Sequence, residues 1–416
     1  MTLAADFESS LAALLGAGKV ARLGVAVSGG SDSTALLHLG SQWARRSGCV
    51  LQAVTVNHGV RAQAQAEAEA VQAQAMALGV SHDILNWTGW TGQGNFQDQA
   101  RRARYRLIGS WARKNQIEHV ALGHTQGDQA ETVLMRLLRG SGVDGLSAIP
   151  THRHGDGVHW IRPVLGISRA DLRTYLQGLG IGWSDDPSND DPKYDRVKVR
   201  KILEYLDSHG FGAQGLADTA GRMASARAVL ERSALDAVKN LAQLRGGAIV
   251  IDAAGFLALP GETRRRVMGN ILCWIATDIY PPRHSALLGL EAAIANGKTT
   301  TLHGCIVTVK NGQAIFGREP AALLEVTAQP SEIWDNRWRL TGPKKPGQSI
   351  RMTGDKGLKS CPDWRETGLD RTTVLAAPAV WLGGELIAAP LAGLPNGWSA
   401  KLVHSENHFF TTILSH

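Results

Sequence analysis

The chain has 416 residues, of which 44% are hydrophobic, and its 44 Lys and Arg residues against 37 Asp and Glu residues give a net charge of +7. This composition can build ordinary cores, so a wholly disordered chain is excluded and about two to three domains are expected. The apolar runs are far shorter than the roughly 18 residues of a membrane span, and acidic residues precede the first basic one. We therefore expect neither a membrane span nor a secretory signal, while the dilute positive charge points only weakly to an anionic partner.

The four cysteines, Cys49, Cys273, Cys305 and Cys361, are too far apart in sequence to form a CxxC pair. This spacing disfavours a zinc ribbon, an iron–sulfur cluster and a disulfide scaffold. Dispersed cysteines in a chain of this length fit the reducing cytoplasm, which is the location that we expect.

In the first 140 or so residues, segments typical of strands alternate with segments typical of helices. The predicted strands are 24–27, 51–56, 83–87 and 119–122, and the predicted helices are 33–46, 62–78, 97–114 and 129–138. This alternation predicts right-handed crossovers and a doubly wound parallel sheet with helices on both faces. Ligands bind such sheets at the carboxyl ends of the strands, so chemistry is expected there.

The rest of the chain has a different pattern. A loop is predicted over 185–195, helices over 216–244, 262–275 and 285–295, and a hairpin around Asn311-Gly312. From about residue 322 the chain is rich in Pro, Gly, Trp and short apolar runs. The sequence thus predicts an α/β catalytic domain over 1–215, a mostly helical middle domain over 216–321 and a small β-containing domain, of α+β class, over 322–416.

The first predicted strand runs into the segment Ser28-Gly29-Gly30-Ser31-Asp32-Ser33, which leads directly into a helix. The glycines allow the backbone to approach an anion, and the hydroxyls and the helix N-terminus supply donors, so we interpret the segment as a phosphate-binding loop. It has neither the Lys of a Walker A loop nor GxGxxG spacing. Asp32 would repel a phosphate unless a cation lay between them, which favours Mg²⁺. The alternative is a Gly/Ser turn in which Ser31 or Asp32 caps the helix.

The motif SGGxDS resembles the signature of the PP-loop ATP pyrophosphatases, the adenine nucleotide alpha hydrolase-like fold. Further segments follow in order: 56–61 (VNHGVR), 100–105 (ARRARY), 123–132 (GHTQGDQAET), 161–165 (IRPVL) and 186–200. Within that superfamily the series resembles the tRNA(Ile)-lysidine synthases, densely over about 23–205 and more loosely over 354–360 and 364–390.

The resemblance implies a ligase that joins free L-lysine to position 2 of the wobble cytidine of an isoleucine tRNA with a CAU anticodon. ATP adenylates the base oxygen, the lysine ε-amine attacks the activated carbon, and lysidine, AMP and pyrophosphate are the products. ATP and Mg²⁺ are the implied substrate and cofactor, and tRNA and lysine the partners. The second and third domains are expected to bind tRNA, and the choice between monomer and homodimer is left open.

The resemblance also assigns roles to individual residues. His58 and Arg61, with the loop 28–33, would bind ATP, and Asp32 and Asp128 would be catalytic. Asp128 would belong to the acidic pair that handles lysine or a metal ion, with Glu131 sharing its helix face. His124 lies at a predicted strand end, as the family's histidine does. The alternatives are a satisfied loop pair for His58 and Arg61, first-turn acids that complement a helix dipole, and a buried core histidine.

Four arginines are candidate contacts to phosphate or base. Arg101 and Arg104 share one helix face, as do Arg196 and Arg200. The resemblance assigns Arg196 to the negative charge that develops on the activated base, whereas a solvated basic face is the alternative for the first pair. Asp186 and Asn189 are expected to shape their loop, and a dispersed C-terminal set is expected to contact tRNA or only to balance surface charge: Lys344, Lys345, Arg351, Lys356 and Lys359.

Three positions depart from the family's pattern: Thr125 replaces a His, Val197 replaces an Asn, and Gly127 replaces the first of two adjacent Asp residues. Two other hypotheses stay open. The loss at Gly127 leaves open a tRNA-binding protein with degraded catalysis, and tRNA thiolation is a second activity within the same superfamily. Thiolation is disfavoured because no Cys lies in a strand-end motif.

Overall fold

The computed structural model describes residues 2–18, 20–57, 63–90, 93, 94, 96–184 and 195–413. The chain divides into two compact units, Met1–Arg227 and Ala228–His416. Among the described residues, no helix is both long enough and apolar enough to span a bilayer.

The first unit is built on a six-stranded sheet with the strands β1 (Arg22–Ala26), β2 (Val50–Asn57), β3 (Ser81–Asn86), β4 (His119–Leu122), β5 (His152–Gly155) and β6 (Val158–Ile161). The strand order is β3-β2-β1-β4-β6-β5. Neighbouring strands are parallel except at the edge, where β5 pairs antiparallel with β6. All parallel strands therefore present their carboxyl ends at one edge of the sheet.

The helices that begin in this unit are α1 (Leu3–Leu15), α2 (Ser31–Ser47), α3 (Gln63–Ala77), α4 (Phe96–Lys114), α5 (Gln126–Leu137), α6 (Val143–Leu146), α7 (Arg169–Gly178), α8 (Asp195–Ser208) and α9 (Ala213–Leu241). They cover both faces of the sheet. In β4, Ala121 belongs to the core cluster that includes residues of α2, whereas Val120 and Leu122 belong to the cluster that includes Trp111 of α4. This alternation is what two buried faces require, and it confirms the predicted doubly wound sheet.

The carboxyl end of β4 approaches the start of α2 very closely. A Cβ at Gly123 would lie 3.0 Å from both the backbone nitrogen and the Cα of Ser33. Only glycine fits this approach without a shift of backbone. It brings the end of β4 against the loop that follows β1, so residues from the two segments share one edge.

The second unit contains the helices α10 (Ala253–Ala258), α11 (Gly261–Ala276), α12 (His284–Ala295), α13 (Gly354–Lys359), α14 (Arg371–Leu375) and α15 (Glu406–Thr412). Its strands are β7 (Ala242–Arg245), β8 (Ala248–Asp252), β9 (Thr300–Leu302), β10 (Cys305–Lys310), β11 (Gln313–Arg318), β12 (Ile333–Trp334), β13 (Trp338–Thr341), β14 (Gln348–Met352), β15 (Pro378–Leu382), β16 (Glu385–Ala388) and β17 (Ser399–Leu402). They form a five-stranded sheet, β7-β8-β11-β10-β9, and two three-stranded sheets, β12-β13-β17 and β14-β15-β16.

In the second unit, the structure confirms the predicted hairpin but shortens one predicted helix. The hairpin around Asn311-Gly312 is confirmed, since β10 and β11 pair antiparallel and both turn residues have positive φ, 49° and 73°. The helix predicted to run through Leu244 ends at Leu241, and strands β7 and β8 follow it without having been predicted. The division into domains over 1–215, 216–321 and 322–416 stays a prediction.

Candidate active site

The loop between β1 and α2 folds back on the helix that it precedes. The backbone amide of Ser28 donates to Ser33 Oγ at 3.1 Å, and Ser33 Oγ donates to the carbonyl oxygen of Gly30 at 3.1 Å. Gly29 has φ +89°, a backbone conformation that favours glycine. The first-turn amides of α2 and the Ser31 hydroxyl therefore lie beside a tight turn, which is an arrangement suited to an anion.

Two arginines of α7 reach this loop, and the sequence reasoning did not single them out. The guanidinium of Arg169 contacts Asp32 through two nitrogens, each at 2.9 Å from Oδ2, and Arg173 Nε donates to Ser31 Oγ at 3.3 Å. Burial alone would lower the pKa of Arg169, but the carboxylates of Asp32, Asp128 and Glu131 together outweigh it, so the pKa is raised. The i,i+4 spacing of the two arginines was the available sequence signal.

The acids of α5 form a second cluster with arginines of α8. Glu131, whose side chain is only 3% exposed, lies 2.9 Å from Arg200 Nε and 3.3 Å from Arg196 Nε. Arg196 also lies 3.7 Å from Asp128 Oδ1. The structure thus brings together Asp128, Glu131, Arg196 and Arg200, with Arg196 contacting both acids.

Asp128 also caps α5. Its Oδ2 accepts from the Thr125 backbone amide at 2.9 Å and from the Thr125 hydroxyl at 3.1 Å, in a capping box. Burial tends to raise the pKa of Asp128, but His124, the Thr125 amide and Arg196 together outweigh it, so the pKa is lowered. The capping role and a charged role in a site are therefore compatible here.

His124 lies just beyond β4 and is mostly enclosed. Arg162 Nε donates to His124 Nδ1 at 3.2 Å, and Arg162 itself is 3% exposed. Burial, with help from the cations Arg162, Arg101 and Arg196, lowers the pKa of His124 to about 4, although Asp128 acts in the opposite direction. His124 is therefore neutral near pH 7. Arg162 lies within the quoted segment IRPVL, but the sequence reasoning gave it no role.

The arginines of α4 stay on an exposed face. Arg101 and Arg104 are both exposed, and the guanidinium of Arg101 lies 5.3 Å from the ring centroid of Tyr105. Arg101 still acts electrostatically on His124. The predicted sites at His58, Arg61, Asp186 and Asn189 lie outside the described residues. The C-terminal set of Lys344, Lys345, Arg351, Lys356 and Lys359 is exposed throughout.

The described side chains offer few ligands for a metal ion. Over the described ranges, His, Cys, Asp and Glu side chains form no group of three or more that could hold a metal ion. Asp32 remains a single carboxylate beside a candidate phosphate loop. Mg²⁺ commonly uses one or two carboxylates and takes its other ligands from substrate phosphates and water, so this donor set fits the ion only together with a polyphosphate.

Comparison with known proteins defines the class of the first unit. A family described as the PP-loop domain matches residues 3–206, which contain the loop, the α5 acids and the α7 arginines. A tRNA(Ile)-lysidine synthase from Ruegeria pomeroyi is 45% identical over 413 residues, or 99% of this chain and 99% of that protein. Those from Wolbachia pipientis wMel and Hyphomonas neptunium are 35% and 39% identical, covering 82% and 86% of this chain and 82% and 92% of their own lengths.

The chain belongs to the tRNA(Ile)-lysidine synthase family. The resemblance drawn from the strand-end motifs is thereby confirmed at the level of the family. The roles of the individual site residues stay predictions.

The depressed pKa of His124 predicts a specific pH dependence of stability. Between the ordinary histidine pKa near 6.5 and the folded value of about 4, the unfolded chain binds a proton at this site that the folded chain does not. Stability is therefore lost as the pH falls from about 6.5 to 4, by up to about 3 kcal/mol at this site. In urea titrations at several pH values, His124→Gln should show a shallower decline over this window than the parent chain. Equal slopes for the two proteins would contradict the assignment.

Proposed function

We propose that this chain joins free lysine to position 2 of the wobble cytidine of an isoleucine tRNA with a CAU anticodon and consumes ATP in the reaction. The observation that carries the proposal is the 45% identity to the Ruegeria pomeroyi tRNA(Ile)-lysidine synthase over 99% of both chains. The activity depends on residues from several segments of the chain, and the similarity covers all of these segments. The chemistry needs a pyrophosphate site, an acidic site for lysine and cations for developing negative charge.

The loop 28–33 is the proposed pyrophosphate site. Its turn and the N-terminus of α2 offer hydroxyl and amide donors, and Arg169 and Arg173 add two guanidinium groups beside it. Attack of the base oxygen on the α-phosphorus breaks the bond to the β-phosphate oxygen, and these donors stabilise the departing pyrophosphate. Bound Mg²⁺ would neutralise phosphate charge, with Asp32 as its protein ligand once Arg169 releases a carboxylate oxygen.

The α5 acids are the proposed lysine site. Asp128 is 14% exposed in its side chain, whereas Glu131 is 3% exposed and contacts both Arg196 and Arg200. Asp128 is thus the better placed of the two to receive an ammonium group, and Glu131 holds the two arginines in position. The lysine ammonium must lose one proton before its nitrogen attacks the base carbon and a second as the carbon–nitrogen bond forms and AMP leaves. Asp128, whose pKa is lowered, would hold the amine in place as a carboxylate while these protons pass to solvent.

The remaining arginines and lysines are proposed to contact the tRNA. Arg196 would stabilise charge on the activated base, while Arg101 and Arg104 present an exposed basic face. We also keep the proposal that the segments 216–321 and 322–416 bind tRNA, the latter through its exposed lysines. The oligomeric state is not part of this proposal.

Thiolation is disfavoured by the state of the cysteines. All four are buried, and burial raises the pKa of each thiol, to about 11 for Cys273 and about 12 for Cys305. A thiolate is the reactive form in sulfur transfer, so none of these groups is activated for it. A sulfur-donor-dependent modification of the tRNA would overturn this conclusion.

The central assay supplies the chain with ATP, labelled lysine and unmodified isoleucine tRNA with a CAU anticodon. We expect labelled tRNA and one pyrophosphate per lysine. Asp32→Asn should reduce pyrophosphate release by at least about a hundredfold while leaving tRNA affinity unchanged, because the carboxylate that would hold Mg²⁺ against the phosphates is lost. Asp156→Asn, which removes an exposed acid in the turn between β5 and β6, is the matched control. No lysine incorporation by the parent chain, with tRNA binding intact, would reject the enzyme and favour degraded catalysis.

A second variant tests whether Gly127 impairs the site. A Cβ there would contact Thr125 Oγ1 at 3.7 Å, which is an ordinary van der Waals distance, so the added Cβ meets no clash. If Asp128 and Glu131 suffice, Gly127→Asp should change the rate of lysine incorporation by less than about threefold. Gly127→Asn, of the same size and without charge, is the control. An inactive parent chain that gains activity through Asp but not through Asn would show that the missing carboxylate had been limiting.

A further inference from the structure

Arg162 is a nearly buried cation that is held by directed hydrogen bonds. It follows β6 directly and is 3% exposed. Its Nη1 donates to the carbonyl oxygen of Pro150 at 2.7 Å, and its Nε donates to His124 Nδ1 at 3.2 Å. Tyr105 also acts on Arg162, in the direction that raises the pKa of its guanidinium. A guanidinium held by two directed hydrogen bonds has little freedom to rotate away from the histidine.

The hydrogen bond to His124 has a defined direction. Arginine carries five N–H donors and no acceptor, so Nδ1 of His124 must be the acceptor and carries no proton. In a neutral imidazole the proton is then on Nε2. A doubly protonated ring would point its Nδ1–H group at the N–H group of the guanidinium, so the hydrogen bond would be lost. It would also place two positively charged groups in contact, with Arg162 Nε and His124 Nδ1 only 3.2 Å apart.

We propose that Arg162 is a positioning residue that holds His124 as the neutral tautomer with its proton on Nε2. His124 then acts in the site as a hydrogen-bond donor, not as a general acid or base. The catalytic consequence rests on the proposed function, whereas the tautomer is a property of the chain itself.

The charged groups around His124 agree with this assignment. Asp128 on α5 favours the protonated ring, whereas Arg162 beyond β6, Arg101 on α4 and Arg196 on α8 oppose it. Burial is the largest influence and also opposes protonation, so the pKa falls to about 4. Near pH 7 the ring therefore stays neutral and its donor stays available.

A neutral donor suits the adenylation step. Negative charge moves from the base onto phosphate oxygens as the bond to pyrophosphate breaks, and a fixed N–H group stabilises it without a change of protonation. No proton leaves His124 in this role, so the reaction's proton balance does not involve the ring. The proton released by the lysine amine goes to another acceptor.

The test uses the full-length chain with ¹⁵N-labelled histidine and two-bond proton–nitrogen spectra between pH 5 and 8. The His124 signals are assigned by their loss in His124→Gln. We expect the pattern of an Nε2–H tautomer that does not change over this range. In Arg162→Gln, whose amide can both donate and accept, the His124 pKa should rise by at least about one unit, so that its titration enters the range.

Two further variants separate this effect from a general loss of charge or structure. Arg153→Gln removes an exposed arginine that lies 5.5 Å from the same Tyr105 ring and should leave the His124 signals unchanged. Arg162→Lys keeps a donor-only cation and should restore the parental tautomer. In the pH profile of pyrophosphate release, Arg162→Gln should acquire an acid limb that the parent and Arg153→Gln lack.

Several results would contradict the proposed tautomer of His124. A parent chain in which His124 carries its proton on Nδ1, or titrates between pH 6 and 7, would overturn the proposal without any variant. His124 signals in Arg162→Gln identical to those of the parent would also overturn it. Because the spectra need no turnover, they decide the tautomer even if the lysine incorporation assay rejects the proposed function.

Discussion

Charge compensation at the carboxyl edge of the parallel sheet is the constraint on which this site depends. The edge gathers carboxylates that are largely withdrawn from water, and an uncompensated charge there would be strongly unfavourable. Each acid is met by a guanidinium: Asp32 by Arg169 at 2.9 Å, Glu131 by Arg200 at 2.9 Å and Asp128 by Arg196 at 3.7 Å. The arginines come from α7 and α8, so the packing of these helices is tied to the electrostatics of the site.

Under the proposed function, the same pairs would allow one edge of the sheet to bind both anionic and cationic substrates. ATP would bring negative charge to the loop after β1, where Arg169 and Arg173 are already directed. Lysine would bring positive charge to the start of α5, where Asp128 is the more exposed acid. Each substrate can take over one partner of an existing ion pair, so neither needs to enter an uncharged site. The negative charges of Asp128 and Glu131 also raise the pKa of Arg169, so the two regions interact electrostatically.

Much of the site was accessible from the sequence because its signals are local. A buried strand followed by SGGxDS predicts a phosphate loop, and the parallel topology places the segment after β4 at the same edge. Asp128 and Glu131 were found as neighbours on one helix face, and the structure places both near Arg196. That Asp128 also caps α5 follows from the helix beginning at Gln126, three residues before the predicted start.

The unpredicted parts depend on long-range packing. Arg169 and Arg173 are separated from Asp32 by well over a hundred residues, and no periodicity indicates that α7 packs on α2. Arg162 resembles a surface cation in the sequence, and only the position of β6 beside β4 buries it against His124. Strands β7 and β8 were missed because β7 follows a 29-residue helix without a break and is only four residues long.

The proposed function requires separable groups at one sheet edge to handle ATP and lysine. Asp128→Asn tests it most directly, because an asparagine oxygen can still accept from the Thr125 amide while the negative charge is lost. The decisive measurement follows pyrophosphate release from ATP and tRNA alongside lysine incorporation in the same reactions. We expect pyrophosphate release to persist while lysine incorporation falls by at least about tenfold. Equal loss of both half-reactions, or unchanged lysine incorporation, would contradict it.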